Sequence, residues 1–274
     1  MSAERPIDPR HYTQEYFLNS CGGSEFFKRY GPKILKPTMA YAFLRAGVRP
    51  GMRILDVGCG RGEILFHARQ AGAEGIGTDC AEPALKIASQ VSGCPTFLAD
   101  AKNLPFPLAS FDRIFFLGVM DHLLDWELEA CFMEFARLLR PQGCVLVHTC
   151  ANRLYYKNWS YGFRRSTARG LRAMGLRVRD PAPPRSEEDQ TLHINEHTYG
   201  SMRSFFRRIG WKAQIDSRPN YKLVLNELYG DPLPPDFPLK PSPWFQSRIF
   251  FALFWRGPLK RIFAREFFCV VYPP

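Results

Sequence analysis

Three aspartates, a run of glycines and two histidines carry the chemistry this chain could perform. Asp56 lies in a short apolar run, Ile54-Leu55-Asp56-Val57, followed by Gly58-Cys59-Gly60-Arg61-Gly62. A strand that stops in such a turn and restarts as a helix at Glu63 leaves bare backbone for a ligand to approach. Asp79 closes a second strand-like run, Gly75-Ile-Gly-Thr. A carboxylate at that position of a doubly wound sheet offers two acceptor oxygens to the two hydroxyls of a ribose. Asp100 ends a third run, Thr96-Phe-Leu-Ala99. His122, in Val119-Met-Asp-His-Leu123, and His193, in Leu192-His-Ile-Asn-Glu-His-Thr198, are two of six histidines and the candidates to take a proton near neutral pH.

The spacing sorts the candidate ligands. A dinucleotide fingerprint wants a third glycine at position 63, which is Glu63, and a P-loop wants a Gly-Lys-Ser/Thr triplet that does not follow. Asp56-Val-Gly-Cys-Gly-Arg-Gly62 instead resembles the first motif of class I S-adenosylmethionine-dependent methyltransferases. That cofactor carries a sulfonium and an amino acid end but no phosphate, so carboxylates suit it better than an anion nest. Further features agree in order: Asp79 after strand two, Asp100-Ala101 after strand three, Leu104-Pro-Phe-Pro…Phe111-Asp112 before strand four, and Leu138-Leu-Arg-Pro-Gln-Gly143 before strand five. The resemblance spans residues 50–150, with 190–215 and 266–272 completing it.

It implies an α/β fold, a doubly wound sheet of seven strands that is parallel except for a reversed last strand, with an inserted substrate cap. Asp56 with the backbone of Gly58, Cys59 and Gly60 would hold the methionine end of the cofactor. Asp79 and Cys80 would meet the ribose, Asp100 and Ala101 the adenine, and Leu117 and Gly118 would close the site. S-adenosylhomocysteine would be the product. His193 is the first candidate for a general base and His122 the second. The His-x-Asn-Glu segment resembles one that faces substrate in small-molecule methyltransferases, so Asn195 and Glu196 join Tyr16 and Tyr155 as substrate contacts. Capping of the following helix by Thr198 or Glu196 is the structural alternative.

The elements that must position these groups divide the chain into four parts. Residues 1–47 form an aromatic and helical lid segment, with Tyr12, Tyr16, Phe17, Phe26 and Phe27 too apolar for a free tail. Residues 48–150 form the cofactor-binding core. Residues 151–190, aromatic and basic with a helix over 164–179, form the cap. Residues 191–274 complete the sheet around an apolar and basic insertion at about 219–265. Within that insertion, 244–265 suits either core packing or a peripheral membrane contact.

The net charge of +11 is unevenly placed. Residues 1–150 hold 16 Lys+Arg against 16 Asp+Glu, and residues 151–274 hold the other 21 against 10. An acidic or membrane-borne partner would therefore meet the second half. The 8 cysteines contain no C-x-x-C pair and read as reduced, mostly buried thiols of a cytoplasmic protein. A metal is not expected, because no Cys/His/Asp cluster that could accompany His193 is visible in the sequence. The acceptor expected is a small molecule or a lipid- or glycan-linked one, methylated on oxygen in preference to nitrogen or carbon. Nucleic acid is disfavoured, since no Asn/Asp-Pro-Pro-Tyr/Phe motif follows strand four. Two other readings stay open: a nucleic-acid methyltransferase served by the basic half, and a cofactor-binding protein without turnover.

Overall fold

The computed structural model describes residues 5–150, 152–155, 158, 160–181, 183, 191–217, 264 and 266–274. Short apolar runs form seven strands: β1 (Arg53–Val57), β2 (Glu74–Asp79), β3 (Thr96–Leu98), β4 (Phe111–Leu117), β5 (Leu139–Cys150), β6 (Lys212–Asp216) and β7 (Glu266–Tyr272). They lie in the order β3-β2-β1-β4-β5-β7-β6. β1 to β5 pair in parallel, and β7 runs antiparallel between β5 and β6. The seven-stranded, mostly parallel sheet is the one expected.

Helices cover both faces: α1 (Ser24–Tyr30), α2 (Pro37–Ala46), α3 (Glu63–Gln70), α4 (Glu82–Ser92), α5 (Asp125–Leu138), α6 (Tyr161–Ala173) and α7 (Tyr199–Arg208). Alternation along the central strands decides what each face meets. Leu55, Val57, Phe116, Val145 and Val147 pack with Leu128, Phe132 and Phe135 of α5 and Phe205 and Phe206 of α7. Ile54, Phe115, Leu146 and Phe268 pack on the other side with Tyr41 and Ala42 of α2 and Ile64 and Ala68 of α3. Strands buried on both faces explain why β1 and β4 read as nearly unbroken apolar runs. Because β1 leads to β2 on one side and pairs with β4 on the other, the chain order reverses between β1 and β4. A crevice opens at the carboxyl ends of the strands at such a point.

The element boundaries differ from expectation in two places. The basic helix stops at Ala173 instead of reaching 179, because Gly175 takes a φ of +82° just beyond it. β5 begins at Leu139, directly after α5, rather than at Cys144; its register with β4 shifts between Phe111 and Arg113. Most of the insertion at 219–265, including the apolar run 244–263, lies outside the described residues. Ala264 is buried, and its carbonyl accepts a hydrogen bond from Asn152 Nδ2 at 2.6 Å. Among the described residues, no helix is long and apolar enough to cross a membrane.

Gly62 shows how tightly the first helix is seated. Its φ is +81°, and a Cβ there would stand 2.8 Å from Ala88 Cα on α4. Backbone cannot yield as a side-chain tip can. Gly62→Ala is therefore expected to cost about 1–3 kcal/mol by forcing α3 from α4, read as a lowered denaturation midpoint with an unchanged slope.

Candidate active site

Two cavities meet at the reversal point. The first, of about 310 Å³, is bounded by Gly58 and Gly60 after β1, Asp79 and Cys80 after β2, Asp100 and Ala101 after β3, and Leu117 and Gly118 at the end of β4. Eight of the ten residues expected around the cofactor thus face one space. The turn is held from below, where Gly58 N and Cys59 N donate to Thr78 O at 2.8 and 3.0 Å. Asp79 fastens it from the side, with Oδ2 accepting from Gly60 N at 3.1 Å and Oδ1 from Ala81 N at 3.0 Å. Burial pushes the Asp79 carboxyl up to about 6, against the pull of the backbone bonds from Gly60 and Ala81.

The other two sit differently. Asp56 is buried behind the turn and borders neither cavity. Desolvation, with Glu63 and Asp79 adding repulsion, raises its carboxyl well above the carboxylate range. Asp56, expected at the methionine end of the cofactor, thus stands behind the turn, and the cavity wall there is the turn's backbone. Cys59 borders the second cavity instead of the first, and a Cβ on Gly77 would lie 3.0 Å from its Sγ, so the thiol packs down onto β2. Cys59 is buried as expected, whereas Cys80 is exposed.

Three further features complete the first cavity. Lys102 Nζ lies 3.0 Å from Asp100 Oδ2 and 2.8 Å from Glu127 Oε1, so the acid beside the expected adenine position is already paired. The amino-terminal segment roofs the cavity with Pro9, Tyr12, Tyr16 and Phe17, and Tyr12 Oη is 2.8 Å from His122 Nδ1. Arg61, inside the glycine turn and 3 % exposed, holds that roof. It donates to Phe17 O at 2.8 Å and Gly22 O at 3.1 Å while pairing with Glu63 at 2.8 Å. The Arg in Gly60-Arg-Gly62 was legible as a residue, but the aromatic segment it grips lies some forty positions earlier.

The second cavity, of about 480 Å³, shares Tyr16, Cys21, Gly58, Gly60, Leu117, Gly118 and His122 with the first. Tyr155 and His193 border it as expected, with Lys36 and Arg164 bringing positive charge. His148 and Glu266, 3.4 Å apart, bridge β5 and β7 at its wall. Asn195 and Glu196, expected to meet the substrate, do not border it. Asn195 instead braces the loop after β4: its N donates to Asp121 O at 3.1 Å, and its Nδ2 to Leu123 O at 2.9 Å and Asp125 Oδ1 at 3.0 Å. Capping of α7 falls to Thr198, whose Oγ1 accepts from Ser201 N at 3.0 Å.

That brace has a consequence for His193. It brings the ring to Asp121, with Nε2 3.2 Å from Oδ2, while His122 Nε2 stands 3.9 Å from the same oxygen. The two imidazole rings are 5.0 Å apart at 71°. The expectation that no cluster accompanies His193 is therefore overturned: Asp121, His122 and His193 converge where the cavities join. Seventy residues of intervening chain hid the grouping.

Comparison with known proteins bears on this arrangement. Residues 54–143 match the family model described as a methyltransferase domain. The chain is 35% identical over 132 residues to the nocamycin O-methyltransferase of Saccharothrix syringae, covering 45% of this chain and 44% of that protein. It is 34% identical over 104 residues to a probable tRNA methyltransferase of Mus musculus, covering 38% of this chain and 23% of that one. The chain thus spans less than half the length of these relatives. A TehB-like S-adenosylmethionine-dependent methyltransferase from Corynebacterium glutamicum has the same fold, with a TM-score of 0.53 at 16% identity over 97% of this chain and 99% of that one.

Proposed function

We propose that this chain, which carries a methyltransferase domain at residues 54–143 on the class I S-adenosylmethionine-dependent methyltransferase fold, moves the cofactor's methyl group onto an acceptor held in the adjoining cavity. The observation that carries the reading is the shared wall between the two cavities. A methyl donor seated over Asp79, with its methionine end along Gly58–Gly60, would direct its sulfonium toward Leu117, Gly118 and His122, where an acceptor atom can approach from the far side.

The reaction is an in-line displacement. A bond forms between the acceptor atom and the methyl carbon while the carbon–sulfur bond breaks, leaving S-adenosylhomocysteine. Because the sulfide leaves readily, alignment supplies much of the acceleration, up to about 7–11 kcal/mol for well-oriented partners. A hydroxyl acceptor also gives up a proton. His193 is the first choice to receive it and His122 the second, both beside the carboxylate of Asp121.

The second cavity supports a reading of the acceptor class. Tyr16, Tyr155 and Met39 give it apolar surface, and Lys36 and Arg164 give it positive charge. A mid-sized, partly apolar or anionic molecule bearing a hydroxyl suits these walls, such as a lipid-linked sugar or a secondary metabolite. Nucleic acid is the second reading, favoured by the basic residues of α6 and the tRNA-methylating relative. It requires binding that weakens steeply with salt.

The deciding experiment incubates the protein and S-adenosylmethionine with cell extract and searches by mass spectrometry for a product heavier by one methylene unit. Such a product, absent without either component, is expected. His193→Gln should slow its formation by about 100-fold or more, the usual worth of a positioned base, with S-adenosylhomocysteine affinity retained. Cofactor binding with no methylated product from any extract, RNA included, would return the chain to the class of binding proteins.

A further inference from the structure

Asp121 Oδ2 is buried, yet among the described residues no hydrogen-bond donor is aligned with it. Both imidazole nitrogens that approach it, at 3.2 and 3.9 Å, do so outside hydrogen-bonding geometry. A buried carboxylate oxygen without an aligned donor is costly to keep. Its other oxygen accepts, among the described residues, a long contact from Thr149 Oγ1 at 3.4 Å. Two histidine nitrogens and this carboxylate lie within 4.8 Å of one another, a grouping that suits a cation.

The separations can be checked against that demand. Ligands bound tetrahedrally at about 2.0–2.2 Å stand about 3.3–3.6 Å from one another. His193 Nε2 and Asp121 Oδ2 are already at 3.2 Å, and His122 Nε2, at 3.9 Å, needs to close by about half an ångström. His122 also has the outer support that metal-bound imidazoles have: its Nδ1 is 2.8 Å from Tyr12 Oη, which orients the ring with Nε2 inward. The backbone of Asn195 fixes the loop carrying Asp121 relative to the segment carrying His193, its N donating to Asp121 O at 3.1 Å. All three ligands border the second cavity, so a further position remains on the side of the acceptor.

We infer that Asp121, His122 and His193 form a binding site for one divalent transition-metal cation of the zinc class, placed where the acceptor meets the methyl donor. Two nitrogens and one oxygen suit Zn²⁺ or Co²⁺ better than Mg²⁺ or Ca²⁺, which prefer all-oxygen shells. Cation binding itself does not depend on the methyltransferase reading; its use in catalysis does. With the cation in place, an acceptor hydroxyl can occupy the further position and lose its proton to water in the cavity as its oxygen takes the methyl group. His193 then serves as a ligand, and acidification by the cation takes over the work of a free base.

The test uses the full chain, freed of metal by a chelator and dialysed. Titration calorimetry with zinc chloride is expected to give one equivalent per chain. Cobalt chloride is expected to give the intense visible absorption of four-coordinate Co²⁺. Asp121→Asn and His193→Ala, neither bordering the cofactor cavity, should each weaken Zn²⁺ at least 100-fold and abolish the cobalt band. S-adenosylhomocysteine binding, measured on the same samples, reports folding and the cofactor site independently. Metal binding without nucleoside binding would sink the methyltransferase reading and leave the cation site standing. Nucleoside binding with no stoichiometric Zn²⁺, or with Zn²⁺ uptake that neither substitution alters, would overturn the cation site and leave His193 as a base.

Discussion

Replacing Asp79 with alanine is expected to remove measurable cofactor affinity. Each hydrogen bond from a ribose hydroxyl to the ionised carboxylate contributes roughly 1.5–3 kcal/mol, so two together correspond to about a hundred- to ten-thousand-fold in the dissociation constant. The substitution also frees Gly60 N and Ala81 N, which Asp79 holds at 3.1 and 3.0 Å, and so loosens the turn that the methionine end would lie along. Calorimetry with S-adenosylhomocysteine measures the loss, and an affinity within a few-fold of the parent would remove Asp79 from the site.

The same carboxyl sets a pH dependence whose sign can be worked out. Burial raises Asp79 from an ordinary 3.8 to about 6 in the free protein. That shift favours the free fold below pH 4, and the contribution is lost as pH rises through 6. Ribose hydroxyls donate to the ionised form, so cofactor affinity moves the opposite way, full above pH 6 and falling by up to about tenfold per unit below it. The rise in melting temperature produced by S-adenosylhomocysteine should accordingly shrink as pH drops from 7 to 5, and Asp79→Ala should flatten that profile.

How far the site could be read from the residues depended on whether its parts are local in sequence. Gly58, Gly60, Asp79, Asp100 and Gly118 each sit at the carboxyl end of a parallel strand, and parallel strands in one sheet bring those ends together whatever the loops do. Asp56 stands off the cavity because its side chain points the other way from its neighbour Val57: one residue along a strand reverses the face. Asn195 and Glu196 stand off the second cavity, since polar residues before a helix can serve the backbone as readily as a ligand, and Asn195 braces Leu123 and Asp125. The Asp121–His193 approach and the grip of Arg61 on Phe17 and Gly22 join segments far apart in the chain, and no periodicity announces such contacts.

Arg61 is where a long-range contact should matter most, and Arg61→Ala is expected to damage both stability and binding. The guanidinium is buried between the carboxylate of Glu63 and the carbonyls of Phe17 and Gly22. Removing one partner of a buried pair leaves the other charge uncompensated, at about 3–5 kcal/mol. In a chain of this size that lowers the melting temperature by about 10 °C. Its bonds to the carbonyls of Phe17 and Gly22 go with it, so Tyr12 and Tyr16 lose their anchor above the cofactor cavity, and the affinity for S-adenosylhomocysteine should fall as well. The double substitution Arg61→Ala with Glu63→Gln separates the two effects. Neutralising Glu63 should recover much of the melting temperature, since the stranded charge is gone. It should not recover affinity, since the carbonyls of Phe17 and Gly22 still lack their donor. Recovery of both together would mean that Arg61 serves only its ion pair and that the roof is held by other contacts.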